Sequence, residues 1–336
     1  MKQRLLPYHP ILIAIFLALS MLFMSLQLMR ASTENLADSR LDTAVTLLAA
    51  THYDRLHNGA LSSRGWSAFA GQGVSAFFGD FTHQALDLGL SGRGLSIEFA
   101  RTYHSALVED GPLGPGWTHS YAMKWTQPDT DTIQIQMPDG RFDRYTRQDN
   151  QYVPPPGVYH TLVAHPDGTV TLERKDQIRF EFDDLGRLEN IIDRYQNQIT
   201  LNYNAQGKLA TIVDTVGRVF SLTYNAAGNL ETVTDPALRV VQYSYDNNSL
   251  SQVTSPAGEK TSFAYNPAGL LTTVYDNGSR AQLTNEYDAQ GRVLTQTDVL
   301  GNQTTFAYNY TAGQTAVTDP RGAVTAFEFD DSFRLS

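Results

Sequence analysis

Between residues 182 and 336, apolar and polar positions alternate with a period of two, and turn residues interrupt the alternation at fixed intervals. The runs Ile199/Leu201/Tyr203, Phe220/Leu222/Tyr224, Val241/Tyr243/Tyr245, Thr304/Phe306/Tyr308 and Thr325/Phe327/Phe329 place alternate side chains on one face. This predicts short strands with one buried side. Each run closes on an aromatic followed by Asp or Asn: Phe182, Tyr203, Tyr224, Tyr245, Tyr265, Tyr287, Tyr308 and Phe329, at steps of 21, 21, 21, 20, 22, 21 and 21. Glycine stands four places later at Gly186, Gly207, Gly228, Gly269 and Gly291, with Leu or Val two further on. A second mark falls 11 residues after the aromatic, at Asp193, Asp214, Asp235, Asp276, Asp298 and Asp319. Every period therefore holds two turns, since Asx side chains bond nearby backbone and glycine supplies positive φ. A lone hairpin of this length cannot bury its apolar face, so successive hairpins must stack and the eight aromatics should form a ladder. Two irregularities look like loop edits: Tyr245-Asp246-Asn247-Asn248-Ser249 lacks the glycine, and Tyr308-Asn309-Tyr310-Thr311-Ala312-Gly313 carries an extra residue.

The N-terminus has a different pattern. Lys2 and Arg4 precede an uncharged stretch, residues 5–29, whose densest part covers 11–29. This predicts an N-terminal apolar helix acting as an export signal over residues 1–31. Its length favours an uncleaved membrane anchor over a cleaved signal, and Met29-Arg30-Ala31 is a poor small-x-small exit. Residues 32–78 then read as an amphipathic helical stalk running into a Gly/Ser-rich linker, and 79–181 as a β-rich domain ahead of the repeats of 182–336.

Composition agrees with the pattern and removes several functions. Twenty-five Gly, 17 Tyr and 16 Phe in a chain that is only 18% charged favour sheets with many turns, an all-β fold. The absence of cysteine excludes a disulfide framework and thiolate chemistry. A net charge of −10 is the wrong balance for gripping a phosphate backbone, so nucleic acid is not an expected partner. Most of that charge lies on residues 180–336, where 18 acidic face 10 basic side chains.

The aromatic-Asp/Asn-x-x-Gly-x-Leu unit resembles the YD-repeat of the Rhs (rearrangement hot spot) proteins, found also in insecticidal toxin-complex proteins and teneurins. Upstream, residues 86–95, Arg101-Thr102-Tyr103-His104-Ser105 and Gly111-Pro112-Leu113-Gly114-Pro115-Gly116-Trp117 resemble the domain that precedes the repeats in that family. The resemblance covers residues 79–336 and implies an antiparallel β-hairpin ribbon spiralling into a shell. In the family such a shell commonly encloses a C-terminal toxin deployed against neighbouring cells. The eight repeat starts are fewer than family shells contain, and Ser336 falls just inside a repeat with no room for a toxin, as expected of a portion of a longer product or a truncated member.

Catalytic motifs are sparse. The eight histidines lack metal-ligand spacing, and in Asp129-Thr130-Asp131 the next calcium-ligand position is Ile133. Gly71-Gln72-Gly73-Val74-Ser75-Ala76 mimics a dinucleotide fingerprint without its strand and helix, and is read as linker glycine. Asp319-Pro320-Arg321-Gly322 shares a D-P-x-G element with the family's self-processing motif but sits on the ordinary turn register. No catalytic residue, metal or cofactor is expected. The expected function is a non-enzymatic, exported repeat scaffold, facing outside the cytoplasm on a membrane anchor through residues 5–29 or released. Its expected partners are downstream repeats or toxin cargo of the same polypeptide. The alternative is a cell-surface carbohydrate-binding or adhesion module in which tyrosine rings stack on glycans. The final strand, with Val324, Phe327 and Phe329, is expected to form an open edge that invites pairing.

Overall fold

The computed structural model describes residues 69–107, 110–277 and 279–329. The chain divides into two units, Met1–Thr51 and His52–Ser336, and every described residue belongs to the second. The expected N-terminal apolar helix and the helical stalk lie outside the described residues. Among the described residues no helix is long and apolar enough to cross a membrane.

From Lys124–Asp129 to Val324–Glu328, 21 strands form one antiparallel sheet in which each strand pairs with its neighbours in sequence. Fourteen of these strands follow Phe182, and the one helical stretch described among them is the 3-10 turn Tyr310–Ala312. An isolated bridge between Lys124 and Arg187 ties the first strand to the turn after Arg179–Phe182, and the Trp125 N–H donates to the Gly186 carbonyl at 2.9 Å. No break marks residue 182. The strands Thr161–Ala164, Val170–Glu173 and Arg179–Phe182 run in the same ladder as the repeats, so the sheet begins well inside the segment expected to precede them.

Period-two patterning sets which side chains are buried. In Val219–Tyr224, Phe220 and Leu222 are buried while Val219, Ser221 and Thr223 are exposed. Both rows of turns use one device. Asp214 Oδ1 accepts from the N–H groups of Val216 (3.0 Å) and Arg218 (2.8 Å), and Oδ2 accepts from Arg218 Nε (2.7 Å). Asp183, Asp235 and Asp288 repeat this with Arg187, Arg239 and Arg292. Asp319 does the same with the amides of Arg321 and Ala323, so the D-P-x-G element is an ordinary turn of the series. Where the glycine is missing, Asn247 and Asn248 take φ 45° and 70°, a region that asparagine tolerates better than most residues. The extra residue after Tyr308 is absorbed by Tyr310–Ala312, closed by Gly313 at φ 59°.

Two expectations need correction. Residues 69–78, read as linker, form a hairpin of Phe69–Ala70 with Val74–Ser75 in which Val74 is fully buried. The last strand is open in a different way than expected. Val324–Glu328 pairs with Gln314–Thr318 and Val324 is 64% exposed, but Phe329 is buried with its ring 4.8 Å from that of Phe77, and Phe327 packs on the core.

Replacing Asp214 by Ala removes three bonds from a carboxylate that also aims Arg218 Nη2 at the Ser91 carbonyl, 2.7 Å away. The expected loss is about 2–3 kcal/mol, with Asp214→Asn, which keeps an acceptor, losing less than half of it. Urea unfolding midpoints of the two variants against the parent check this order.

Candidate functional site

Six of the eight repeat aromatics are tyrosines, and each of their hydroxyls donates to a main-chain carbonyl of the preceding repeat. Six of the eight ladder aromatics lie opposite the Leu or Val six residues on, five in the repeat without glycine, where one extra residue makes a β-bulge: Phe182↔Leu188, Tyr203↔Leu209, Tyr224↔Leu230, Tyr245↔Leu250, Tyr265↔Leu271 and Tyr287↔Val293. The next tyrosine reaches back to the carbonyl of that bulge residue. Tyr203 Oη donates to Leu188 O (2.7 Å), Tyr224 to Leu209 O (2.9 Å), Tyr245 to Leu230 O (2.6 Å), Tyr265 to Leu250 O (2.7 Å), Tyr287 to Leu271 O (2.7 Å) and Tyr308 to Val293 O (2.7 Å). Burial pushes all six phenols above their ordinary range, which keeps them protonated donors.

Phe182 and Phe329 have no hydroxyl, and the geometry explains why none is needed. The hairpins before them, Thr161–Ala164 with Val170–Glu173 and Gln303–Asn309 with Gln314–Thr318, pair without a register shift. With no bulge upstream there is no displaced carbonyl to satisfy.

The N-terminal segment closes the other half of the bulges. Leu230 N–H donates to Pro112 O (2.7 Å), Leu271 N–H to Tyr103 Oη (3.0 Å) and Val293 N–H to Gly79 O (2.9 Å). Gly114 sits against the Asn248–Leu250 backbone, where an added Cβ would stand 2.4 Å from Asn248 O. Trp117 Nε1 donates to Tyr265 Oη at 2.9 Å. Beneath this contact lies a buried ion pair, Asp87 with Arg101. Tyr243 Oη donates to Asp87 Oδ2 at 2.8 Å, and the Arg101 guanidinium stands 6.0 Å from the Trp117 ring and 5.7 Å from Phe263. Burial lowers the Arg101 pKa to about 10, opposed by Tyr243 and Tyr265. These N-terminal residues carry the contacts that the repeat pattern alone does not reveal. Period two does flag Arg101, a cation on the inward register of Ile97, Phe99 and Tyr103.

The ladder rings pack against the core and their hydroxyls are engaged. Tyr159 and Tyr195, 71% and 70% exposed, lie outside the ladder. Among the described residues no group of three or more His, Asp or Glu could hold a metal ion.

Comparison with known proteins agrees with this geometry. Residues 71–145 match a domain of unknown function (DUF6531), and residues 169–325 match the Teneurin YD-shell family. The tRNA nuclease WapA of Bacillus subtilis (strain 168) is 36% identical over 252 residues, which is 73% of this chain and 11% of that protein. The chain is an Rhs/YD-repeat protein. The tRNA3(Ser)-specific nuclease WapA of Bacillus spizizenii matches equally, again over 11% of its length, so the YD-repeat chain spans about a ninth of these relatives. Among solved structures, TcdB2-TccC3 aligns at 14% identity and a TM-score of 0.34, covering 78% of this chain and 16% of that one.

Two predictions follow from the YD ladder. Tyr265→Phe removes a hydroxyl that both donates to Leu250 O and accepts from Trp117, whereas Tyr224→Phe removes a single donor. The expected costs are about 2–3 and about 1 kcal/mol, read as shifts in urea midpoint. The second concerns pH. Burial holds the His119 pKa down to about 3, and burial followed by Arg101 holds His83 at about 4. Both stay neutral when folded, so stability present above pH 6.5 is lost as the unfolded chain takes up protons below it, at about 1.4 kcal/mol per histidine per pH unit. Asp143, raised to about 6 by burial against the pull of Arg141, works the other way and offsets one histidine between pH 6 and 4. Net acid destabilisation below pH 6.5 is expected, and His119→Phe should flatten it in midpoints taken at pH 7.5, 6.5 and 5.5.

Proposed function

We propose that this chain is a non-enzymatic scaffold, one section of an exported YD shell that houses a C-terminal toxin carried on the same polypeptide. The observation that carries the reading is the paired closure of the bulges. The carbonyl is held by the tyrosine of the next repeat, and the amide, at Leu230, Leu271 and Val293, by the N-terminal segment. Such a chain spends its conspicuous polar groups on its own continuity, and the buried ionisable side chains Asp87 and Arg101 are locked together. Structure, rather than turnover, is what this arrangement supplies. The WapA relatives are tRNA nucleases, and the stretch they share with this chain is 11% of their length. On this reading nuclease activity belongs to cargo that a shell would hold. Export is assigned to the uncharged stretch of residues 5–29 behind Lys2 and Arg4.

Purified chain incubated with total tRNA should leave it intact over hours, with or without divalent cations, while the buffer with an added ribonuclease degrades it. Cleavage that co-purifies with the folded chain would overturn the scaffold reading. A reporter active only outside the cytoplasm, fused after residue 60, should give signal. Loss of that signal when residues 5–29 are deleted assigns export to them.

A further inference from the structure

Three of the six bulge amides are bonded by the N-terminal segment. Leu230, Leu271 and Val293 each give their N–H to an oxygen of the N-terminal segment, two of them to main-chain carbonyls, and Gly114 lies over Leu250. Leu209 occupies the same place in its repeat, opposite Tyr203 at the same register shift. Among the described residues no group of the N-terminal segment bonds its N–H. A cleft of about 470 Å³ opens there instead, between the repeats of Tyr203 and Tyr224 and the stretches around Pro112 and Tyr121.

Its lining reverses the charge of the protein. Lys124, Arg187 and Lys208 face it against the single carboxylate Asp110, in a chain of net charge −10. Two of the cations are held in place. Arg187 lies over the Tyr203 ring at 4.6 Å, with Asp183 taking its Nε and Nη2, while Nη1 lies 3.8 Å from where a Gly207 Cβ would stand on the cleft wall. Lys208 Nζ lies over Tyr224 at 5.0 Å and donates to Gly228 O, with hydrogens left to donate elsewhere. Pre-set cations beside an outward backbone N–H form a carboxylate receptor, because charge-assisted bonds to fixed donors lose little entropy on binding.

We propose that this cleft binds an extended acidic peptide segment, whose Asp or Glu carboxylate meets Arg187 and Lys208 while one of its oxygens accepts the Leu209 N–H, as Pro112 O accepts that of Leu230. Peptide is favoured over a small anion because main-chain carbonyls fill the equivalent places at Leu230 and Val293. The proposal does not depend on the scaffold reading.

The test titrates a fluorescein-labelled octaglutamate amide into the full chain, with octalysine and inorganic phosphate as separate arms, and follows amide hydrogen exchange residue by residue. In the free chain the Leu209 amide should exchange faster than that of Leu230. Saturating octaglutamate should slow exchange at Leu209 about tenfold and leave Leu230 unmoved, and Lys208→Gln should weaken binding about fivefold, one charge-assisted contact. Lys208→Met, which keeps the stem against Tyr224, should weaken it equally, with only the small fall in urea midpoint that losing the bond to Gly228 O brings. Three results overturn the proposal: a Leu209 amide as protected as Leu230 in the free chain, octaglutamate binding that leaves Leu209 unchanged, or equal protection by phosphate alone, which marks an anion site with no use for peptide.

Discussion

A β-bulge turns one peptide group out of the ladder, and a buried peptide group without partners costs a few kcal/mol at each end. In this sheet the bulge recurs in nearly every repeat, at the Leu or Val opposite the ladder aromatic. What surrounds the sheet can be understood as the answer to that recurring demand. The tyrosine of the following repeat takes the carbonyl, which is why the aromatic is tyrosine and why its spacing from the bulge residue is held at 15 or 16 residues. The N-terminal segment takes the amides of Leu230, Leu271 and Val293, which is why it follows the ladder instead of folding apart from it.

This division also accounts for where charge is buried. A segment lying on the ladder must present polar atoms to the bulges while burying Tyr103 and Trp117 as anchors. Arg101 and Asp87 resolve the conflict. As a mutually bonded pair supported by Tyr243 and stacked near Trp117, they carry opposite charges into the interior, where either alone would be far costlier. The neutral His83, half-buried, and His119, buried, belong to the same layer, so the seam between segment and ladder is its acid-sensitive part.

The repeats were legible in the sequence because every signal there is local. Period-two alternation fixed the buried face, and Asx and Gly marks at constant spacing fixed both turns. Even the two irregular loops stood out against the register. The start of the sheet at Lys124 was not legible, because Thr161–Ala164 and Val170–Glu173 lack the aromatic-Asx mark although they run in the same ladder. The hairpin at Phe69–Ser75 was hidden behind its glycines, which look like a linker until Val74 is seen buried and Gly79 O bonded to Val293. Contacts such as Trp117 to Tyr265 span 148 residues, and no periodicity within either segment encodes them.

The choice between tyrosine and phenylalanine along the ladder has a further meaning. Phe182 and Phe329 stand after unbulged hairpins, and the six tyrosines after bulged ones. One oxygen atom therefore reports, in the covalent sequence, on the backbone path of the hairpin before it. A ribbon written this way carries a proofreading mark for its own folding. If a hairpin slips by one residue, the hydroxyl downstream loses its acceptor and the error is penalised one repeat later. Reading Tyr or Phe at the ladder position of any such ribbon should then reveal, without coordinates, which of its hairpins are bent.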